Sequence, residues 1–210
     1  MSPVRRAISG IIDLLIAALV LWAWLSMVLR PGRHGALGAD GLQSLRYFTV
    51  LSNLLRGGVS VACLCGMRAR RWKYVATTAV ALTFFVVALF LGPAYGYASM
   101  YVGANFWFHL VVPVLAMADF LLFDREGAFT LRDSLLAMLP MLLYSLAYVG
   151  NLLKNGVKGN DWYGFAKNGP RSAAAAFLII LALNWVLAQA LRLPRRHRPF
   201  LNRESTDGRR

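Results

Sequence analysis

YFTVLSNLLRGGVSVACLCG, residues 47–66, is apolar enough to sit in a bilayer, yet it carries Thr49, Ser52, Asn53, Arg56 and Ser60. At about 100° per residue these five fall at roughly 0°, 300°, 40°, 340° and 20°, inside one arc of about 100°. The rest of the circumference is apolar or glycine. A helix patterned this way faces hydrocarbon on one side and a polar protein interior on the other. It belongs in a bundle of membrane helices.

Working outward, hydropathy marks five more stretches, so that six spans are expected at about 8–29, 47–66, 74–92, 106–123, 134–153 and 173–193. Each matches the roughly 20 apolar residues that a bilayer of about 30 Å requires. Turn residues fall between them: Pro31-Gly32, Gly92-Pro93, Gly169-Pro170 and Pro194. The chain has 210 residues, 58% hydrophobic and only 15% charged, against averages of about 45–50% and 25%. Disorder is excluded, and a soluble two-domain enzyme does not fit. The expected fold is all-α: a six-transmembrane-helix bundle over residues 1–193, followed by a basic tail at 194–210. The first span is longer than a signal-peptide core and no A-x-A-like site follows it, so it reads as a retained helix.

Two cysteines exclude a disulfide framework or a cysteine-based zinc site. Cys63 and Cys65 point in different directions on a helix and read as small buried hydrophobes. The net charge of +14 sits at the edges of the apolar runs, which suits lipid headgroups and gives no reason to expect nucleic acid. Arg5 and Arg6, the group Arg68, Arg70, Arg71 and Lys73, then Arg125 and Arg132, and the tail from Arg192 to Arg210 fall on one side. The opposite loops hold fewer: Arg30, Arg33 and Arg46, then Lys154, Lys158, Lys167 and Arg171. Both termini are therefore expected in the cytoplasm, with the tail lying against anionic headgroups.

Ionisable groups inside spans are costly and carry functional information. They are Asp13, Arg56, His109 and Asp119. Arg56, near the bilayer centre, needs a carboxylate; Asp13 and Asp119 are the candidates, and the expected role of all three is structural. In the fourth span Asn105, His109 and Asp119 fall at about 0°, 40° and 320°, with Val112 and Ala116 on the same stripe. Pro113 should kink that helix and free a carbonyl that a polar neighbour must satisfy. Tyr144, Tyr148 and Asn151 form a stripe on the fifth.

Thr49 and His109 lie about 3 Å and 4.5 Å inside spans that start on the same side. A hydroxyl beside an imidazole is the minimum for an activated nucleophile, and the outer interface suits a lipid ester. Asn53 or Asn105 could donate to a developing oxyanion. Ser52, Tyr148 and Asn151 are further polar side chains that could meet substrate. Gly58-Val59-Ser60-Val61-Ala62 lies within a helix, so it is not a nucleophile elbow. There is no H-E-x-x-H, and His34 and His197 lie outside the spans, so neither an intramembrane zinc site nor a two-histidine haem is expected. No phosphate loop is present, and no metal or cofactor is implied.

Arg46-Tyr47-Phe48-Thr49-Val50-Leu51-Ser52-Asn53 resembles the central segment of the bacterial six-helix membrane proteins related to the androgen-induced-protein family. The run from Phe108-His109-Leu110 through Pro113 to Asp119 and Phe123-Asp124 is similar as well. So is Asp161-Trp162-Tyr163-Gly164-Phe165, although the prolines common around that aromatic pair are missing. The likeness spans about residues 8–193. It implies a threonine-dependent membrane hydrolase of fatty acid esters of hydroxy fatty acids, or similar lipid esters, with Thr49 as nucleophile and His109 as base. Two other classes fit the polar stripes: a small-molecule or lipid transporter or channel, and a non-catalytic scaffold or lipid-binding protein whose polar residues join helices.

Overall fold

In the computed structural model, which describes residues 2–29, 41–124 and 127–196, every regular element is helical. Six helices form the body: α1 (Pro3–Leu29), α2 (Phe48–Leu64), α3 (Arg70–Tyr95), α4 (Ala104–Phe123), α5 (Leu131–Asn155) and α6 (Pro170–Arg196). Five of them, all but α2, are long and apolar enough to cross a membrane. Large side chains such as Leu14, Trp22, Leu143, Leu146 and Leu178 stand exposed on their outer faces, while Arg56 and Asp119 are wholly buried. That inversion of the soluble pattern identifies a multi-pass membrane protein.

The second expected span, 47–66, is shorter than anticipated. Helix α2 has 17 residues, about 25 Å at 1.5 Å per residue. Tyr47 is extended (φ −91°, ψ 132°), and Gly66 turns the chain at φ 82°, a conformation that costs other residues a steric clash. The other helices exceed the expected bounds because hydropathy stops at the first charge whereas backbone hydrogen bonding does not. Thus α5 begins at Leu131, capped by Thr130, whose hydroxyl and backbone pair with Asp133 in a capping box, and α6 continues past Leu193 and Pro194 to Arg196. The readings of Arg30, Pro31-Gly32, Arg33, His34, Arg125 and the tail from His197 onward lie outside the described residues.

Helix α3 is the hub, packing against α2, α4, α5 and α6. Its run Val75–Thr83 is rich in alanine and threonine and every residue in it is buried, as expected where small side chains let backbones approach. Helix α1 packs on α2, with Val20 seated against Gly57 so closely that a Cβ there would lie 2.9 Å from its Cγ1. The ends at which α2, α4 and α6 begin gather at one end of the bundle, called the upper end below.

Both α3 and α4 widen near that end. The Gly92 N–H reaches back five residues to Val87 O, and the Val112 N–H reaches Trp107 O in the same way. Each π-turn is followed by a proline, Pro93 or Pro113. Proline lacks the N–H that would continue the ladder, so one carbonyl is orphaned in each helix, Ala88 O and Phe108 O. Both are rescued from elsewhere: the Tyr97 phenol donates to Ala88 O at 2.8 Å and the Asn53 amide to Phe108 O at 3.1 Å. Gly92-Pro93 therefore does not end α3, as expected from sequence, because the π-turn absorbs the clash.

Candidate functional site

Thr49 is the second residue of α2. Its carbonyl accepts from Ser52 Oγ at 3.1 Å and Asn53 Nδ2 at 2.7 Å, which fixes the first turn. The flanking amides are engaged: Phe48 N–H with the Tyr163 hydroxyl at 3.0 Å, and Val50 and Leu51 N–H with Tyr47 O at 3.1 and 3.2 Å. Among the described contacts neither the Thr49 N–H nor its hydroxyl has a partner. Membrane threonines usually donate to a carbonyl three or four residues back, as Thr78 does to Tyr74 O. Here the chain before α2 is not α-helical, and Arg46 O already takes the Tyr144 phenol at 2.6 Å. The hydroxyl is left without a partner among the described residues.

His109 lies within the π-turn of α4 and is buried. Its Nδ1 is 2.8 Å from the carbonyl of Met100. A carbonyl only accepts, so Nδ1 carries a hydrogen, and in the neutral ring Nε2 keeps its lone pair. That tautomer is the one a general base needs.

Helices α2 and α4 are neighbours, since the Asn53 amide bridges them through Phe108 O. Thr49, Asn105 and His109 line one narrow recess, with Met27, Tyr47, Val50, Leu91 and Tyr163 forming the rest of its wall. A direct hydrogen bond between the Thr49 hydroxyl and the His109 ring is not among the described contacts.

The remaining candidates lie elsewhere. Both amide hydrogens of Asn53 are used on Thr49 O and Phe108 O, so it is an interhelical clamp, not a donor into the recess. It supplies the polar partner that Pro113 was expected to require. Ser52 is buried against Thr83 Oγ1 at 3.1 Å and ties α2 to α3. The Tyr148 phenol donates to Asp161 Oδ1 and accepts from Tyr163 N–H. Asn151 accepts from Asn155 at 2.8 Å. Neither Tyr148 nor Asn151 lines the recess.

What the polar stripes did not disclose is the cover. The 156–169 connection folds over the start of α2, held by Asp161, whose Oδ2 accepts from Ala166 N–H at 2.8 Å while Oδ1 takes Tyr148. Trp162 donates to the Tyr144 hydroxyl at 2.9 Å. Tyr163 packs edge-on against Tyr47 and stacks on Phe165; burial pushes its phenol well above the ordinary value, so it stays a neutral hydroxyl. The signal was present, as four aromatic or acidic residues within Asp161–Phe165, but only the family likeness drew attention to it.

The intramembrane charges assemble at the other end. Arg56 Nη2 lies 3.0 Å from Asp13 and 3.3 Å from Asp119, so both expected partners are used. Ser60 joins through Arg56 and through Asp13 at 3.0 Å. Lys73, read from sequence as a loop cation, is 4% exposed and bridges Asp119 at 2.7 Å, Asp13 at 2.9 Å and Ser9 at 3.1 Å. One turn into α3 places its long stem inside the bundle, where two carboxylates repay the desolvation. Cys63 is half-buried and Cys65 exposed, contrary to the expected burial of both, because α2 ends there.

No protein family, no characterised protein and no solved structure matches this chain.

Proposed function

We propose that the chain is an intramembrane hydrolase of lipid esters, fatty acid esters of hydroxy fatty acids or similar, with Thr49 as nucleophile and His109 as general base. The observation that supports it best is that two helices bring an unengaged threonine hydroxyl and a histidine with a committed Nδ1 to one recess. In this reading Thr49 Oγ attacks the ester carbonyl and passes its proton to His109 Nε2. The tetrahedral oxyanion forms beside the unpartnered Thr49 N–H, at the positive end of α2, with Asn105 on the recess wall. As the carbon–oxygen bond breaks, Nε2–H protonates the departing alcohol. Water, activated by Nε2, then cleaves the acyl-threonine, releasing the fatty acid and restoring the hydroxyl. Nucleophile and base come within hydrogen-bond range as substrate is held, which is common for such pairs.

The same reading has all six helices crossing the membrane, α2 included, both termini in the cytoplasm and the upper end at the outer leaflet. In a bacterium the membrane would be the inner one. The tail at 194–210 lies on anionic headgroups, and no metal or cofactor takes part.

A fluorophosphonate probe tests the assignment: wild type in detergent is labelled, Thr49→Ala is not, and both Thr49→Ala and His109→Ala lose ester turnover while eluting as folded protein. Equal labelling of wild type and Thr49→Ala overturns it. Proteoliposome flux that survives Thr49→Ala would instead favour a transporter.

A further inference from the structure

The recess around Thr49 does not stop there. A second recess begins at Thr49, Leu91 and Tyr163, which it shares with the first, and runs on between Leu82, Met141 and Phe177. A third, the roomiest of the three at about 150 Å³, lies between α3 and α6 and shares Val86, Leu91, Phe165 and Ile180 with the second. Leu91, at the end of the π-turn in α3, borders all three. The string ends at Phe90 and Ile179, which are 44% and 53% exposed on the outward faces of α3 and α6.

We infer that this string is the seat of the substrate's acyl chain, entered sideways from the bilayer between α3 and α6, with the alcohol portion in the His109 recess. Three observations carry it. The third recess has only apolar walls, so a polar ligand would lose its hydration there without compensation. In the second, the Thr83, Tyr144 and Tyr163 hydroxyls already serve Ser52, Arg46 O and Phe48 N–H, which leaves Thr49 as the polar group that meets a ligand. The mouth opens on a surface that the five long apolar helices turn toward hydrocarbon. The direction follows from proton bookkeeping alone. Whatever leaves must be protonated by His109, so the alcohol oxygen sits on that side of Thr49 and the acyl chain on the other. The orientation rests on the hydrolase reading; the hydrocarbon seat does not.

The test uses the purified full chain in phosphatidylcholine vesicles with a diazirine-bearing palmitic acid, crosslinks mapped by peptide mass spectrometry. Crosslinks are expected in residues 86–91 and 176–180, falling about tenfold in Ile180→Trp. The same variant should lose about tenfold of turnover on p-nitrophenyl palmitate and keep that on p-nitrophenyl butyrate within about twofold. Ala176→Phe, at the mouth, should act alike, and serves if the tryptophan variant does not fold. Crosslinks elsewhere, or equal losses on both esters in the folded variants, overturn the seat. Crosslinks at α3 and α6 without turnover of either ester uphold the seat and sink the hydrolase.

Discussion

Thr49 and Arg56 sit on one face of one helix, seven residues and about 10 Å apart, and their surroundings are opposite. Around Arg56, Asp13, Asp119, Lys73 and Ser60 close a charge cluster that joins α1, α2, α3 and α4. Around Thr49 the neighbours are bonded to one another and leave its own hydroxyl and N–H out. In sequence both residues are polar insertions in an apolar run. The lesson is that polarity in a span marks an interior, and that ion pairing across helices marks a brace where an unengaged hydroxyl marks only a candidate for chemistry.

Activity and stability should part company along that line. The largest effect is expected at the upper end: Thr49→Ala or His109→Ala lowers ester turnover by about 10²–10⁴-fold. Thermal unfolding in detergent should be unchanged in Thr49→Ala, while His109→Ala orphans Met100 O and should cost about 1–3 kcal/mol besides. If Thr49→Ala also unfolds early, Thr49 is a brace as well. At the other end, Asp119→Asn leaves Arg56 and Lys73 sharing Asp13 and should cost about 3–5 kcal/mol of stability, read as a lower unfolding temperature in a chain that retains whatever turnover its folded fraction supports. Between them stands Asn53→Leu, which orphans Phe108 O at about 1–3 kcal/mol and releases the α4 turn that carries His109; both readouts should fall. The smallest is Tyr163→Phe. Loss of the hydroxyl on Phe48 N–H is worth about 0.5–1.5 kcal/mol, yet it loosens the first turn of α2, so turnover drops while unfolding barely moves.

Much of the architecture was legible because hydrocarbon imposes length and polarity rules on every span. The face of α2 read from its periodicity is the buried one, with Ser52, Asn53, Arg56 and Ser60 all inside, and the Asn105–His109–Asp119 stripe of α4 is buried too. What could not be read is contact between elements. Lys73 looked like a loop residue because hydropathy ends a span at its first charge, although a buried carboxylate can extend it inward. Asn53 looked like an oxyanion donor because its use depends on where Phe108 O is left unbonded, a property of a neighbouring helix. The hub position of α3 was visible in principle, since small residues fill its whole circumference from Val75 to Thr83, a pattern that belongs to a helix covered on all sides.

The π-turns at 87–91 and 107–111 also set a rule for aligning this chain with another. A π-turn holds one residue more than an uninterrupted helix needs, which sets the segments before and after it out of phase by about 100°. A chain with one residue fewer within 107–111 would keep its histidine, its proline and its hydropathy profile while swinging Asn105 off the wall it shares with His109. The same deletion within 87–91 would rotate Leu91 away from the junction of the three recesses. A single gap at either place, easily passed over as helix-length variation, separates chains that can build this cavity from chains that cannot.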